Sequence, residues 1–156
     1  MCNLVNSECL NIYSRFLEPA CGEGNFLIEI LTRKLKSITD NYELNSIIAL
    51  SSLYGIDILL DNVKICRDRL FKTWENFIDS PELTQTAEFI LSNNIICGDS
   101  LTMKFLDETP IIFPEWTFDG EFVTRKDFLL AGLMTIFHEI PEKEYKPVNF
   151  RRIHSL

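Results

Sequence analysis

Three acidic residues stand at the ends of short apolar runs. Glu18 follows Phe16-Leu17, Asp57 follows Leu53-Tyr54-Gly55-Ile56, and Asp99 follows Ile95-Ile96-Cys97-Gly98. Beside the first, Pro19-Ala20-Cys21-Gly22-Glu23-Gly24 carries two glycines spaced by one residue, and from Asn25 an amphipathic helical pattern begins. The two missing side chains let a ligand approach the backbone, and the helix that follows aims free N–H groups at that place. A carboxylate at a strand end offers two acceptor oxygens at once, enough for two ribose hydroxyls. Strand, tight turn and helix together form a holder for a small ligand.

The string from Phe16 to Leu27, Phe-Leu-Glu-Pro-Ala-Cys-Gly-Glu-Gly-Asn-Phe-Leu, resembles the first motif of S-adenosylmethionine-dependent methyltransferases. Its spelling is that of the adenine-N6 DNA methyltransferases of restriction-modification systems. Tyr54-Gly55-Ile56-Asp57-Ile58 resembles the second motif, and Asn94-Ile95-Ile96-Cys97-Gly98-Asp99-Ser100-Leu101 the third. The resemblance implies S-adenosylmethionine as cofactor. It would be held around Glu18, Pro19, Ala20, Cys21, Gly22, Gly24, Asn25 and Phe26, with Asp57 on the ribose and Ile58 on the adenine face. Asp99 would accept from the adenine amino group, with Ser100 and Leu101 framing the ring. Without the family, Asp57 is equally a helix-start acid that complements the dipole, Glu18 a cap of the glycine turn, and Gly98-Asp99-Ser100 an ordinary turn. The 33 residues from Gly24 to Asp57 exceed the roughly 20 of a nicotinamide-binding fingerprint, which argues against a dehydrogenase.

Adenine-N6 transfer in the family that this chain resembles uses Asn or Asp followed by Pro-Pro and an aromatic residue. The six prolines follow Glu18, Ser80, Thr109, Phe113, Ile140 and Lys146, so that motif does not occur and no catalytic residue is assigned. Phe113-Pro114-Glu115-Trp116 lies near its expected place and supplies aromatic faces, which a hairpin explains equally well. The formal net charge of −8 opposes a phosphate backbone. DNA is therefore expected as a partner only through a further region or partner chain, such as a specificity subunit or a second methyltransferase subunit. A noncatalytic or degenerate methyltransferase-like binding module is the alternative from a different class.

Five cysteines (Cys2, Cys9, Cys21, Cys66, Cys97) form no Cys-x-x-Cys pair and are odd in number, so neither a disulfide frame nor a zinc site is expected. His138 and His154 lie far from other candidate ligands, and no metal is expected. With no secretory leader and no apolar run of roughly 20 residues, the expectation is a cytoplasmic protein off the membrane.

The elements that must position these residues read as follows. Residues 1–14 suggest a short helix beside the first strand. Leu27, Leu31, Leu35 and Ile38 make a helical stripe over 25–38, with Glu29 and Arg33 paired outside. Residues 39–45 read as a polar turn and 46–52 as a short helix. Leu59, Val63, Cys66, Leu70, Trp74 and Phe77 mark one face of a long helix, and Pro81 opens another through Leu91. Strands are predicted near 15–20, 53–58 and 94–98, parallel and neighbouring. Ile111 to Phe118 and Glu121 to Thr124 flank Asp119-Gly120, a hairpin signal, with Pro114 confining its strand to an edge or bulge. A helix over 128–140 follows, Arg125 and Lys126 read as solvated charges, and the basic tail with Lys143, Lys146, Arg151 and Arg152 as an exposed terminus. The expected fold is α/β: a Rossmann-like S-adenosylmethionine-dependent methyltransferase sandwich of three layers around a parallel sheet, as a single domain over 1–156. Residues 1–107 would be its cofactor-binding part and 108–156 a hairpin-helix extension.

Overall fold

The computed structural model describes residues 5–133 and 140–156. Its first half alternates helices and strands: α1 (Asn6–Leu10), β1 (Phe16–Glu18), α2 (Asn25–Ser37), α3 (Tyr42–Ser51), β2 (Leu53–Asp57), α4 (Leu60–Glu75), α5 (Thr84–Asn94) and β3 (Ile95–Asp99). The three strands are parallel neighbours, with Phe16 opposite Leu53 and Gly55 opposite Ile95. A two-residue strand, β4 (Lys104–Phe105), closes the far edge antiparallel to β3. The sheet is thus mostly parallel, in the order β1-β2-β3-β4.

The apolar periodicity decides which faces are covered. Leu27, Leu31 and Leu35 of α2 and Val63, Cys66, Leu70 and Trp74 of α4 are buried, and the two helices pack on each other. Leu59, assigned by pattern to the buried face, is instead exposed just before α4 begins. On β2, Gly55 sits against Cys21 and Leu27, and on β1 Phe16 lies under Lys34 of α2. Successive strand residues point to opposite faces, so Tyr54 faces away from α2. There its ring meets Phe113 edge-on and its hydroxyl donates to the Pro114 carbonyl at 2.7 Å. The expected second helical layer is replaced at this point by a β-hairpin.

That hairpin is longer than predicted. Strands β5 (Ile112–Asp119) and β6 (Phe122–Leu129) pair along eight positions, and Asp119 pairs with Phe122, so the two turn residues are Gly120 and Glu121 rather than Asp119 and Gly120. Gly120 alone of the two has positive φ, the pattern of a type II′ turn with glycine first. Pro114 lies on β5, which pairs only with β6 among the described residues, as an edge strand must. Two short strands, β7 (Lys143–Glu144) and β8 (Val148–Asn149), pair with β6 on its other side. The helix predicted over 128–140 begins only at Leu130, as α6 (Leu130–Leu133), and Phe137 and His138 lie outside the described residues.

Three further expectations are corrected by packing. Arg125 and Asp127 share the inward face of β6 with Val123, and the Arg125 fork binds both Asp127 oxygens at 2.7 and 3.2 Å. The same guanidinium lies 4.8 Å from the Tyr145 ring and 5.4 Å from the Trp116 ring, a buried cation among aromatics rather than a solvated one. The tail is docked: Phe150 and Ile153 are buried, and Arg151 bridges Glu43 and Glu121. Helix α3 takes in residues read as a turn, because Asn41 adopts a left-handed conformation that lets the helix start at Tyr42. The N-terminal helix packs on α2, where Ser37 Oγ donates to the Leu10 carbonyl and Arg33 to Asn6 Oδ1.

Lys34 is fully buried, its ammonium donating to the carbonyls of Asn11 and Ser14 and to Ser52 Oγ. Burial lowers its pKa to about 8. The unfolded chain then holds more protons than the folded one from about pH 8 up to the ordinary lysine range, so this side chain makes stability rise with pH there, by at most about 1.4 kcal/mol per pH unit. Urea midpoints across that window should rise more steeply for the wild type than for Lys34→Met, and equal slopes would refute it.

Candidate functional site

The parallel register gathers the three strand-end acids at one edge of the sheet. Glu18 is level with Gly55, and Asp57 is level with Cys97, so Asp57 and then Asp99 each stand two residues further along. At about 3.3 Å per residue the acids form a diagonal, each step some 6 to 7 Å beyond the last. All three share one pleat parity, which is that of Gly55 and hence of the α2 side.

The turn after β1 is built around two left-handed glycines, Gly22 at φ +52° and Gly24 at φ +85°. Cys21 N–H donates to the Ile56 carbonyl, and Gly24 N–H to the Cys21 carbonyl, both at 2.9 Å. Helix α2 then begins at Asn25 with Gly24 at its cap and no side chain capping it, so its first N–H groups remain available beyond the turn. A Cβ at position 22 would meet nothing within 4 Å, whereas one at position 24 would fall 2.6 Å from Cys66 Sγ. Gly22 therefore borders open space, and Gly24 is the point of closest approach between the turn and α4.

Asp57 does more than end its strand. One oxygen accepts from Gly22 N–H at 2.9 Å, and the other from Leu59 N–H at 2.9 Å and from Asn62 Nδ2 at 3.2 Å. The carboxylate ties the glycine turn to the start of α4, and only part of its acceptor capacity is left for a ligand. Glu18 accepts weakly from Ala20 N–H at 3.3 Å, the turn-capping contact that was its alternative reading. Asp99 accepts from Leu101 N–H at 2.8 Å, an Asx-type turn, and is otherwise open to solvent on its partly exposed side. Asn25 Oδ1 accepts from Arg69, which also binds the Glu23 carbonyl, so Arg69 braces the turn from α4. Sequence patterning singled out neither Arg69 nor Asn62, because one charge or amide on a helix surface carries no signal of what it touches.

Apolar side chains at this edge are left uncovered. Ile58 is 57% exposed and Leu101 91%, and Leu59 and Leu60 are also exposed. Cys97 Sγ contacts the Ile58 carbonyl, which brings the ends of β2 and β3 together, with Ile58 beside one and Leu101 beyond the other. Pro19 and Ala20 are exposed, Phe26 and Ser100 half-buried. The edge thus combines open backbone, acids and exposed aliphatic side chains.

The stretch Phe113-Pro114-Glu115-Trp116 is fully engaged elsewhere. Phe113 packs on Tyr54, Pro114 accepts its hydroxyl, and Trp116 Nε1 donates to Asn94 Oδ1 at 2.9 Å. Glu115 pairs with Arg15 at 2.8 Å beside an apolar cavity of about 200 Å³, whose lining includes Leu17, Tyr54, Phe113 and Phe128. His154, exposed, has its Nδ1 3.2 Å from Thr86 Oγ1. Among the described residues no group of three or more His, Cys, Asp or Glu is placed to hold a metal ion, and no helix is long and apolar enough to cross a membrane.

Comparison with protein-family models, with curated proteins and with solved structures finds no match. The class of the chain therefore rests on its own geometry: a mixed α/β protein with a mostly parallel four-stranded sheet whose acid-lined edge carries a glycine turn.

The close approach at Gly24 yields a quantitative expectation. Gly22→Ala meets only backbone strain and should cost about 1 kcal/mol, whereas Gly24→Ala adds a clash with Cys66 and should cost about 3 kcal/mol or more. A double-mutant cycle with Cys66→Ala, read by urea denaturation, should return a coupling of about 1 to 2 kcal/mol for Gly24 and none for Gly22. Additivity at Gly24 would show that the contact is not what forbids a side chain there.

Proposed function

We propose that this chain binds S-adenosylmethionine at the acid-lined sheet edge and is the cofactor-binding part of a DNA adenine-N6 methyltransferase-like system, inactive in methyl transfer by itself. The observation that carries the reading is the conjunction at one edge of an open glycine turn, an uncapped helix start and exposed Ile58 and Leu101 beside Asp99. The motif resemblance points to the same residues. A cofactor bearing a sulfonium and an ammonium suits an edge lined by Glu18, Asp57 and Asp99, where a pyrophosphate would be repelled. In this reading the backbone around Ala20 to Gly24 faces the methionine part, and Asp57 takes a ribose hydroxyl with the acceptor capacity its protein bonds leave. Ile58 and Leu101 flank the adenine, and Asp99 accepts from its amino group.

The inactivity follows from chemistry the chain lacks. Holding and polarising an adenine amino group takes an acceptor pair and a stacking ring, which the family resembled takes from Asn or Asp with Pro-Pro and an aromatic residue. No such run occurs, and the aromatic stretch nearest its place spends its rings and carbonyls on packing. The acidic balance likewise leaves DNA contact to a specificity or second methyltransferase subunit. A noncatalytic regulatory module would share the same ligand site and differ in having no such partner. Its supporting observation is that same engagement of the aromatic stretch.

Titration calorimetry with S-adenosylhomocysteine should give saturable heat for the intact chain, with affinity about tenfold weaker in Asp99→Ala, a loss of about 1.4 kcal/mol. No heat from folded protein would end the ligand assignment. Tritiated methyl transfer to mixed-sequence duplex should be undetectable for the chain alone, and robust incorporation lost in Glu115→Ala would make the hairpin stretch an active site.

A further inference from the structure

The sheet face opposite α2 holds a second place where a small ligand fits. Leu17 and Tyr54 are register partners, and both point away from the side shared by Glu18, Asp57 and Asp99. Between them and the hairpin lies the apolar cavity of about 200 Å³, walled on the hairpin side by Phe113, Phe128 and Leu130. The one hydroxyl in its lining, that of Tyr54, is spent on the Pro114 carbonyl, so the Arg15–Glu115 pair supplies the only uncommitted side-chain polar atoms there. Among the described residues β1 has no strand on its outer side, and Leu17 is 41% exposed, so the cavity opens to solvent at this edge.

The charged pair selects what can sit at that opening. Arg15 Nη1 donates to Glu115 Oε2 at 2.8 Å, and among the described residues this is the guanidinium's one hydrogen bond. Its Nε and Nη2 hydrogens, which share one edge of the planar fork, are left over. Arg125 shows what that edge binds in the same chain: its Nε and Nη2 take the two oxygens of Asp127 at 2.7 and 3.2 Å. The Arg15 side chain is 52% exposed, so a carboxylate from solvent can reach the equivalent edge without displacing Glu115. Glu115 offers an incoming cation one spare oxygen and no fork, and the pair therefore favours an anion with two coplanar oxygens. Size limits the rest of the ligand, because an apolar cavity of roughly 150 Å³ holds one benzene. The somewhat larger one here takes a single ring on a short link.

We propose that this cavity binds a small monocarboxylate carrying one aromatic ring, with the carboxylate on the Nε and Nη2 edge of Arg15. The ring lies between Leu17 and Tyr54 of the sheet and Phe113 and Phe128 of the hairpin. Tyr54 and Phe113 already meet edge-on, and a bound ring extends that cluster. Burial of the ring supplies affinity, while the guanidinium discriminates between head groups, since a charge-assisted pair of hydrogen bonds is stronger than a neutral one. The site shares no side chain with the acid-lined edge and does not depend on the function proposed for that edge.

Phenylacetate is the probe, with phenylacetamide and benzylamine as neutral and cationic controls of similar size. Added to the intact chain, phenylacetate should shift the methyl resonances of Leu17 and Leu130 and leave that of Leu101, at the acid-lined edge, unmoved. It should bind about tenfold more tightly than either control. Arg15→Gln, at a half-exposed position, should bring phenylacetate to the phenylacetamide level while the ring still binds. Glu115→Gln, which removes the neighbouring negative charge, should tighten phenylacetate severalfold and leave phenylacetamide unchanged. Absence of shifts at Leu17 and Leu130 in folded chain at millimolar phenylacetate would overturn the site. Equal affinities for the three probes, or tighter binding of benzylamine, would overturn the carboxylate assignment. A preference for phenylacetate that survives Arg15→Gln would overturn the role given to Arg15.

Discussion

The hold that Asp57 and Cys66 together exert on the turn after β1 is the constraint on which the candidate site depends. A loop with two left-handed glycines has many alternatives open to it, and glycine loses more freedom on folding than any other residue. Here that freedom is removed by a carboxylate at the end of the neighbouring strand, which binds Gly22 N–H, and by a sulfur on the next helix, which fills the space beside Gly24. Arg69 adds a third tie through the Glu23 carbonyl and Asn25. All three come from the β2–α4 unit, so the turn can be ordered only once that unit is in place. A ligand at the edge would then meet a backbone already set, which lowers the ordering cost of binding.

The hairpin is joined to this sheet by a small number of polar contacts set in an apolar interface. Asn94 donates to the carbonyls of Ser51 and Leu53 and accepts from Trp116, so one buried amide links the ends of α3 and α5, the start of β2 and the edge strand of the hairpin. Tyr54 makes the matching link to Pro114 from the sheet side. Each of these groups would be costly if buried without a partner, and the described residues contain no buried side-chain nitrogen or oxygen lacking one. The interface is therefore specific in register as well as apolar. It engages the aromatic stretch Phe113-Pro114-Glu115-Trp116 in packing.

Sheet topology bears on the proposed division of labour. Doubly wound sheets place their ligand crevice where the strand order reverses. The order β1-β2-β3-β4 contains no reversal among the described residues, and β1 has no neighbour on its outer side. The candidate site is accordingly an open edge with Gly22 bordering space, not an enclosed pocket. This suits a chain that supplies one wall of a cofactor site and is completed by another polypeptide surface.

The sequence by itself determined the strand-turn-helix units, because the signals that define them are local. Apolar runs ended by acids, glycines at a turn and a helical stripe over Leu27, Leu31 and Leu35 all act within a few residues of chain. Strand order and parallel pairing followed from the short crossovers, and the corrections to element ends arose where Asn41 or Gly120 chose a backbone conformation that composition alone leaves open. Only the tertiary structure decided that Asp57 is bound up with the glycine turn, that Arg125 is caged by aromatic rings, that Lys34 is buried, and that the basic tail is docked through Arg151. Each of these is a polar or charged side chain whose partner lies far along the chain. The free energy of such a group depends on whether burial is matched by a donor, acceptor or counter-charge, and no local pattern carries that information.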